Sequence, residues 1–201
     1  MSLRAKLLWV ALLLVFAGGI FYLRSLAKRI FFELPSHSDE SAKARLSEAV
    51  LQSGSGPNET AVLFFPSLSA RMLVAESRPI KWAPAEADRV RQVLLALAEG
   101  PNQRLGHPLA AATNVRAVFL TMDGTAYVDL SGDLLSSVYP GIEAESLAVY
   151  SIVNSITVNI PTVKRVKILI QGQEVDSLEG HADLTDAIVP DPSLVKGGPG
   201  P

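Results

Sequence analysis

The chain has 201 residues, of which 48% are apolar and 19% are charged, and its formal net charge at pH 7 is −2. The absence of cysteine excludes disulfides, thiol nucleophiles, Cys-ligated metal or iron–sulfur sites, and the acylated cysteine of a bacterial lipoprotein. Three histidines argue against a His-rich metal site, and the small net charge provides no general basic field for nucleic acid. We therefore expect no metal, no cofactor and no nucleic-acid partner.

The first predicted element is a membrane-spanning helix at residues 7–23. These seventeen positions carry no charge, and at about 1.5 Å of rise per residue they span roughly 26 Å, close to the ~30 Å hydrocarbon core. Trp9 and Tyr22 lie near the two ends, where amphipathic rings favour the membrane interface. Arg24 can extend to the headgroups. The segment is predicted to be an uncleaved anchor that follows a short cytoplasmic N-terminus, residues 1–6.

Two alternatives for this segment remain open. A cleaved signal peptide is the stronger one, because Ser25-Leu26-Ala27 resembles a small-residue cleavage site, although the apolar run exceeds the usual signal core. A buried core helix is weaker, because a helix that is apolar all round needs neighbours to pack against. The flanking lysines and arginines do not determine the orientation, since similar numbers precede and follow the segment.

Composition divides the rest of the chain into three parts. Residues 24–58 are predicted to be a flexible linker, because they are mostly polar and end in Gly, Ser and Pro. Residues 59–186 are long enough for an independent domain that buries roughly two-thirds of the surface of its unfolded chain. This domain has ten basic and fifteen acidic residues, whereas the first 45 residues have a net charge of +4, a contrast that suits a basic membrane-proximal segment. Residues 187–201 are predicted to be a disordered tail.

The first half of the domain is predicted to contain two strands and a helix. Residues 61–65 form a short apolar run closed by Pro66, and residues 72–76 form a second strand. A helix follows over residues 85–99, because its apolar residues recur at helical spacing on one face. Gly100, followed by proline, ends that helix.

The second half is predicted to contain a hairpin, a helix and a final strand. Strands at 115–120 and 126–130 flank Asp123-Gly124, a strong hairpin signal. A helix over 143–158 has apolar residues on two faces, which indicates deeper burial than for the first helix. A strand at 163–170 completes the order β-β-α-β-β-α-β. We therefore predict an α+β fold, a mostly antiparallel sheet packed with two main helices, in addition to the N-terminal transmembrane helix.

The sequence contains no motif of a nucleotide-binding loop, a serine hydrolase or a zinc protease. Asp129, Ser131 and His181 are the residue types of nucleophilic hydrolysis. Ser131 ends a strand without the sharp turn that exposes a nucleophile, so a turn role explains it better. Asp129 and Asp133 are a second candidate, as paired carboxylates for acid–base chemistry or a cation, with turn formation as the simpler explanation. We therefore assign no catalytic, cofactor-binding or metal-binding residue and leave binding residues open.

Lys164, Arg165 and Lys167 form the only basic cluster in the sequence of the domain. Strand alternation places Arg165 and Lys167 on one face. A solvated sheet face or a protected sheet edge is the favoured explanation. Contact with an anionic lipid or glycan comes second, and nucleic acid comes third because the domain is acidic.

The order of motifs from Thr60 onward resembles the GerMN domain, the sporulation and spore germination module. The most specific pieces are Glu99-Gly100-Pro101, residues 126–131 and Gly180-His181. The chain differs from the best-known members in carrying one module and no lipid-attachment cysteine. The stretches that carry the resemblance are AVLFFP (61–66), LVAESRPI (73–80), LLALAEGP (94–101), NVRAVFLTMDGTAYVDLS (114–131), SLAVYSIVNSI (146–156), VKRVKILIQGQ (163–173) and LEGHADLT (178–185).

This resemblance implies a domain outside the cytoplasm, held at the bacterial inner (cytoplasmic) membrane by a single-pass anchor whose N-terminus lies inside. It implies a binding or assembly module of the cell envelope without enzymatic activity, with envelope proteins or further copies of the same chain as partners. Two other functions remain open. One is a cell-wall glycan hydrolase that uses Asp129 and a second carboxylate as acid and base. The other is a ligand-sensing domain built around Gly180-His181.

Overall fold

The computed structural model describes residues 58–132, 142–178 and 180–197. The predicted anchor at 7–23, nearly all of the linker, and Asp133 lie outside this part of the chain. None of the helices within the described ranges has both the length and the apolar character needed to span a bilayer. The transmembrane helix therefore stays a prediction.

The described residues form strands and helices in the order that the sequence predicts, with a short strand and a 3₁₀ turn (Pro192–Leu194) added near the end. The predicted α+β fold with two main helices is confirmed. The elements are β1 (Asn58–Pro66), β2 (Leu73–Lys81), α1 (Glu86–Glu99), β3 (Val115–Leu120), β4 (Thr125–Leu130), α2 (Ile142–Asn159), β5 (Arg165–Ile170) and β6 (Gln173–Glu174).

The strands form two sheets, where the sequence predicts one. β1 and β2 make an antiparallel sheet of their own. The second sheet has the order β3-β4-β5-β6, in which β4 and β5 are parallel and the other two pairs are antiparallel. The parallel pair arises because α2 lies between these strands in the sequence and returns the chain to the end at which β4 began.

One continuous core joins both helices to both sheets. The apolar positions of α1 and the alternating apolar positions of β4 point into it, as their periodicities predict. Each such side chain gains about 1.5–3 kcal/mol from burial, so apolar spacing decides which face of an element turns inward. The core residues with no solvent exposure on these elements are Val90, Val93, Leu94 and Leu97 on α1, Ala126, Val128 and Leu130 on β4, and Ile152, Val153 and Ile156 on α2.

Polar side chains of α2 close the outer edge of β1. Ser155 Oγ accepts the N–H of Phe64 at 2.9 Å, and the Ser151 hydroxyl donates to the Phe64 carbonyl. The Asn159 amide accepts the N–H of Val62 at 3.0 Å and donates to the Val62 carbonyl at 2.7 Å. The three polar residues are spaced four apart and share one face of the helix. They take the place of a neighbouring strand, which prevents β1 from pairing with another chain.

We expect Ser155→Ala to lower the free energy of unfolding by about 1–3 kcal/mol, because it leaves the buried N–H of Phe64 without an acceptor. Urea denaturation of the full chain in detergent measures the change. Thr157→Ala is the control, because the Thr157 hydroxyl donates to two carbonyls of its own helix, at 2.8 and 3.3 Å, and among the described residues it contacts no group of β1. Equal losses in the two variants would contradict the edge-capping role.

Residues 187–197 pack against the domain, so the predicted disorder of the tail is wrong for this stretch. Ile188 bridges to β5. Asp191 N donates to the side chain of Asn154 at 3.0 Å, and that side chain donates to the Asp191 carbonyl at 2.9 Å. Lys196 N donates to the carbonyl of the first residue of β2 at 2.8 Å. Pro190 and Pro192 have no N–H to satisfy, and five of the remaining N–H groups of this stretch are hydrogen-bonded.

Candidate functional site

Asp129 and Ser131 serve as anchors for neighbouring loops. The two carboxylate oxygens of Asp129 accept the N–H of Gly172 at 2.7 Å and the Nε of Arg116 at 3.0 Å. Ser131 Oγ accepts the N–H of Asn114 at 3.0 Å. These bonds fasten the chain before β3 and the turn after β5 to the end of β4. The predicted turn from Ser131 into Gly132-Asp133 extends beyond the described residues and stays a prediction, whereas the bond seen here joins Ser131 to the segment before β3.

His181, the third residue type of the hydrolytic candidate that the sequence does not favour, is paired with Glu145. Glu145 is fully buried in the first turn of α2 and accepts the N–H groups of Leu178 at 2.8 Å and His181 at 3.0 Å. Its Oε2 atom lies 3.2 Å from His181 Nδ1. Gly180 has a φ of +91°, which glycine adopts without a steric penalty. The Gly180-His181 pair therefore attaches the loop that follows β6 to α2.

A second buried charge cluster holds the turn after α1. Glu76 accepts the backbone N–H groups of Asn102 and Gln103 at 3.0–3.2 Å and the Nε of Arg78 at 2.9 Å. Burial raises the pKa of the Glu76 carboxyl, but the N–H donors of Asn102, Arg78 and Gln103 outweigh burial and hold that pKa below its usual value. The carboxylate is therefore the stable form in this cluster.

Arg78 completes this cluster from the other side. It donates to the carbonyl of Ala96 at 3.2 Å and to the carbonyl of Gly100, and its guanidinium lies 5.4 Å from the ring centroid of Phe65. Gly100 has a φ of +86°, and a Cβ atom there would lie 2.2 Å from the ring of His107. The Glu99-Gly100-Pro101 signature thus follows from how α1 ends and what packs on it.

The basic cluster of β5 is divided between structural and exposed positions. Lys167 is only 5% exposed, and its Nζ donates to the carbonyls of residues 184–185. The predicted solvent-facing position is therefore wrong for Lys167. Arg165 pairs with Asp123 at the β3–β4 turn, and Lys164 is exposed. Asp123 has its pKa lowered by hydrogen bonds from Thr121, Arg165 and Thr125.

Two ends of the domain can be defined from these contacts. The entry end comprises the start of β1, residues 121–125 of the β3–β4 turn and residues 158–165. Asn159 bonds to β1, and Lys164 N donates to the Gly124 carbonyl at 2.7 Å. The far end comprises residues 66–72, which join β1 to β2, and the first turns of α2.

A cleft of about 470 Å³ opens at the far end. Its walls are residues 66–71, Gly106 and His107, and the first two turns of α2. Arg71 and Glu143 form an exposed ion pair of 2.7 Å at the rim of the cleft. Leu68, which is 63% exposed, also lies at this rim. The volume lies in the range of small-molecule and side-chain sites, about 300–1,000 Å³. No spacing rule connects these distant segments, so the one signal of the cleft in the sequence is Leu68, an apolar residue in a polar turn.

The free edge of β2 is a poor site for strand addition. The backbone groups of Val62 and Phe64 point away from β2 and bond to side chains of α2. Their cross-strand partners, Ser77 and Ala75, therefore direct their own N–H and C=O groups to the opposite, free edge of β2. The tail already bonds to the first residue of β2. Pro79, two residues beyond Ser77, has no N–H to donate. Only a few backbone groups of the described β2 edge remain for a partner strand. The far-end cleft is therefore the better candidate for a binding site.

No group of three or more potential metal ligands is found among residues 58–132, 142–178 and 180–197. Neither the far-end cleft nor a second groove of about 440 Å³ beside the end of α2 is lined by His181. The ligand-sensing alternative thus receives no support from these two cavities.

The family model described as Germane, for sporulation and spore germination, matches residues 62–176. The tandem GerMN domains of the sporulation protein GerM from Bacillus subtilis share 23% identity with the chain, at a TM-score of 0.55 that covers 66% of this chain and 46% of that one. The first GerMN domain of the same protein shares 22% identity, also at a TM-score of 0.55, and the match covers 65% of this chain and 97% of that one. These structural matches show a shared fold. A search of curated proteins finds no significant match.

Proposed function

The chain belongs to the Germane family of sporulation and spore germination domains, and from this premise we propose that it is a membrane-tethered, non-catalytic binding module of the bacterial cell envelope. Residues 7–23 are the anchor in the inner membrane, and the domain lies outside the cytoplasm. The 34 linker residues that precede β1, 24–57, reach on the order of 30–35 Å as a flexible coil. The domain can therefore meet partners close to the bilayer.

The observation that carries the non-catalytic role is the use of the candidate catalytic groups as structural bonds. Asp129 and Glu145 each hold a loop to a strand or helix through both carboxylate oxygens, and the Nδ1 of His181 pairs with Glu145. A glycan hydrolase needs two carboxylates that face one bound sugar. Asp129 instead has both oxygens engaged by Gly172 and Arg116.

The far-end cleft is the proposed binding surface. It is lined mainly by apolar atoms. The Arg71–Glu143 ion pair at its rim can orient a bound group through hydrogen bonds. Apolar concavities with a few charged groups at the rim are typical of sites that receive a side chain of a protein partner. We propose that an envelope protein, or another copy of this chain, inserts an apolar side chain there.

Cross-linking from Leu68 tests this surface. Since the chain has no cysteine, Leu68→Cys provides a single attachment point for a photoactivatable cross-linker in native membranes. We expect a discrete adduct, whose mass distinguishes an envelope protein from a second copy. Phe119→Cys is the matched control, because Leu68 and Phe119 are both 63% exposed and lie on different parts of the domain.

Two results would contradict the proposal. The binding role fails if Leu68→Cys gives no adduct beyond that of the Phe119→Cys control and the chain migrates as a monomer. The location fails if protease added outside intact spheroplasts leaves the domain uncut, while the same protease cuts it after lysis.

A further inference from the structure

The turn between β3 and β4 presents a fully exposed methionine, Met122, on a rigid support. Thr121 N donates to the Thr125 carbonyl at 3.0 Å, and Gly124 N donates to the Thr121 carbonyl at 3.1 Å. The Asp123 carboxylate accepts bonds from both threonine hydroxyls and from Arg165. Met122 is thus held outward by a fixed turn.

The surroundings of Met122 fit a bilayer interface. Lys164 is exposed and its backbone N–H donates to the Gly124 carbonyl at 2.7 Å, which places this residue beside the turn. Its ammonium group donates to the Pro161 carbonyl at 2.5 Å, also at the entry end. Arg165 neutralises Asp123. Val158, in the last turn of α2, is a second apolar residue at the entry end and is half exposed.

The acidic residues at the entry end and next to it balance the cations there. Glu59 is exposed at the start of β1, and Glu86 accepts the hydroxyl of Thr162 at 2.9 Å. Lys81, also exposed, lies in register with Asn58 at the end of β2. Because the charges nearly cancel, attraction to anionic lipid is small and the apolar side chain determines what this end contacts.

The chain enters the domain at this same end, through the start of β1. We propose that the entry end rests on the bilayer, with Met122 inserted at the boundary between headgroups and acyl chains and Lys164 among the headgroups. This inference rests on the proposed membrane tether. It also gives the proposed module an orientation, because the far-end cleft then faces away from the lipid.

A single inserted methionine binds weakly on its own. The tether makes the contact intramolecular, and a flexible linker of this kind gives an effective concentration on the order of millimolar. A weak contact is therefore sufficient to bias the orientation of the domain. Long, flexible Met and Lys side chains suit such a contact, since the apolar part lies in the interface and the charge reaches water.

The test uses the full chain in vesicles of phosphatidylcholine and phosphatidylglycerol that contain doxyl-labelled lipid. Met122→Cys carries an environment-sensitive fluorophore, and Leu68→Cys at the far end carries the same fluorophore as the control. We expect the doxyl lipid to quench the label at position 122 several-fold more strongly than the label at position 68. Flotation of the unlabelled chain with the vesicles separately reports whether the anchor holds.

Each outcome decides between the two proposals. If the chain floats with the vesicles and position 122 is quenched selectively, the orientation is supported. Equal quenching at both positions, or none at either, overturns the orientation while the tether stands. A fluorescence shift at position 122 that does not depend on doxyl lipid indicates a protein contact and also overturns it. If the chain does not float, the tethered function itself fails.

Discussion

Arg78→Ala is expected to lower the free energy of unfolding by about 3–5 kcal/mol, the cost of breaking a buried ion pair from one side. The change leaves the Glu76 carboxylate buried without its cation, and it removes donors from the carbonyls of Ala96 and Gly100. It also removes the guanidinium that packs over Phe65. Denaturant unfolding of the full chain in detergent, followed by circular dichroism, measures the loss.

Arg71→Ala is the matched control for this prediction. Arg71 also pairs with a glutamate, at 2.7 Å from Glu143, but its side chain is 82% exposed and its partner is 49% exposed. Solvent screening limits such pairs to about 1 kcal/mol or less. A loss for Arg78→Ala no larger than that for Arg71→Ala would show that the buried cluster adds little stability.

The same cluster predicts a dependence on pH. The folded-state pKa of Glu76 lies below its usual value of 4.5, so its stabilisation is present above that value and is lost as the pH falls through the folded-state pKa. Glu76→Gln should therefore flatten the acid side of the stability profile. An unchanged acid slope in Glu76→Gln would place the titrating groups elsewhere.

These clusters change how the most specific sequence motifs should be understood. Glu99-Gly100-Pro101 and Gly180-His181 each lie where a loop is fastened by a buried carboxylate, Glu76 or Glu145. Their role in the described structure is to hold the fold. The proposed contacts with a partner and with lipid involve Leu68 and Met122, which no motif marks.

Local patterns were sufficient to predict the order of elements. The helical spacing of the apolar residues of α1 and the Asp123-Gly124 turn act over a few residues, and the structure follows both. The parallel pairing of β4 with β5 and the separation into two sheets depend on contacts across more than thirty residues. Periodicity within one element carries no information about its neighbours, so one sheet was the simplest prediction.

Burial of charge was the feature that the sequence could not reveal. The alternation of side chains along β5 places Lys167 on the face expected to meet solvent. In the structure the loop at 184–185 covers this side chain and supplies carbonyl acceptors. The polar stripe of α2, with Ser151, Ser155 and Asn159 four residues apart, was visible in the sequence. Its role, to bond the backbone groups at the edge of β1, follows only from the three-dimensional structure.

Glu145→Leu is expected to lower the free energy of unfolding by about 2–4 kcal/mol. The leucine fills the buried space, but the N–H groups of Leu178 and His181 lose their acceptor, and each unmade buried bond costs about 1–3 kcal/mol. Because these donors lie in one loop, we expect residues 176–185 to open before the core does. Limited proteolysis and hydrogen exchange across this loop measure the opening.

Two further substitutions show whether the loss comes from the buried acceptor. Glu143→Leu, two residues earlier on α2, changes the same side chain at an exposed position and should leave exchange in the loop at 176–185 unchanged. Glu145→Gln keeps one oxygen acceptor and should give a smaller loss than Glu145→Leu. If all three variants protect the loop equally, the attachment comes from apolar packing of Leu178 and Leu184, both of which are buried. If Glu145→Leu releases the loop, Glu145→Gln releases it in part and Glu143→Leu leaves it closed, the buried carboxylate oxygens are the groups that hold it to α2.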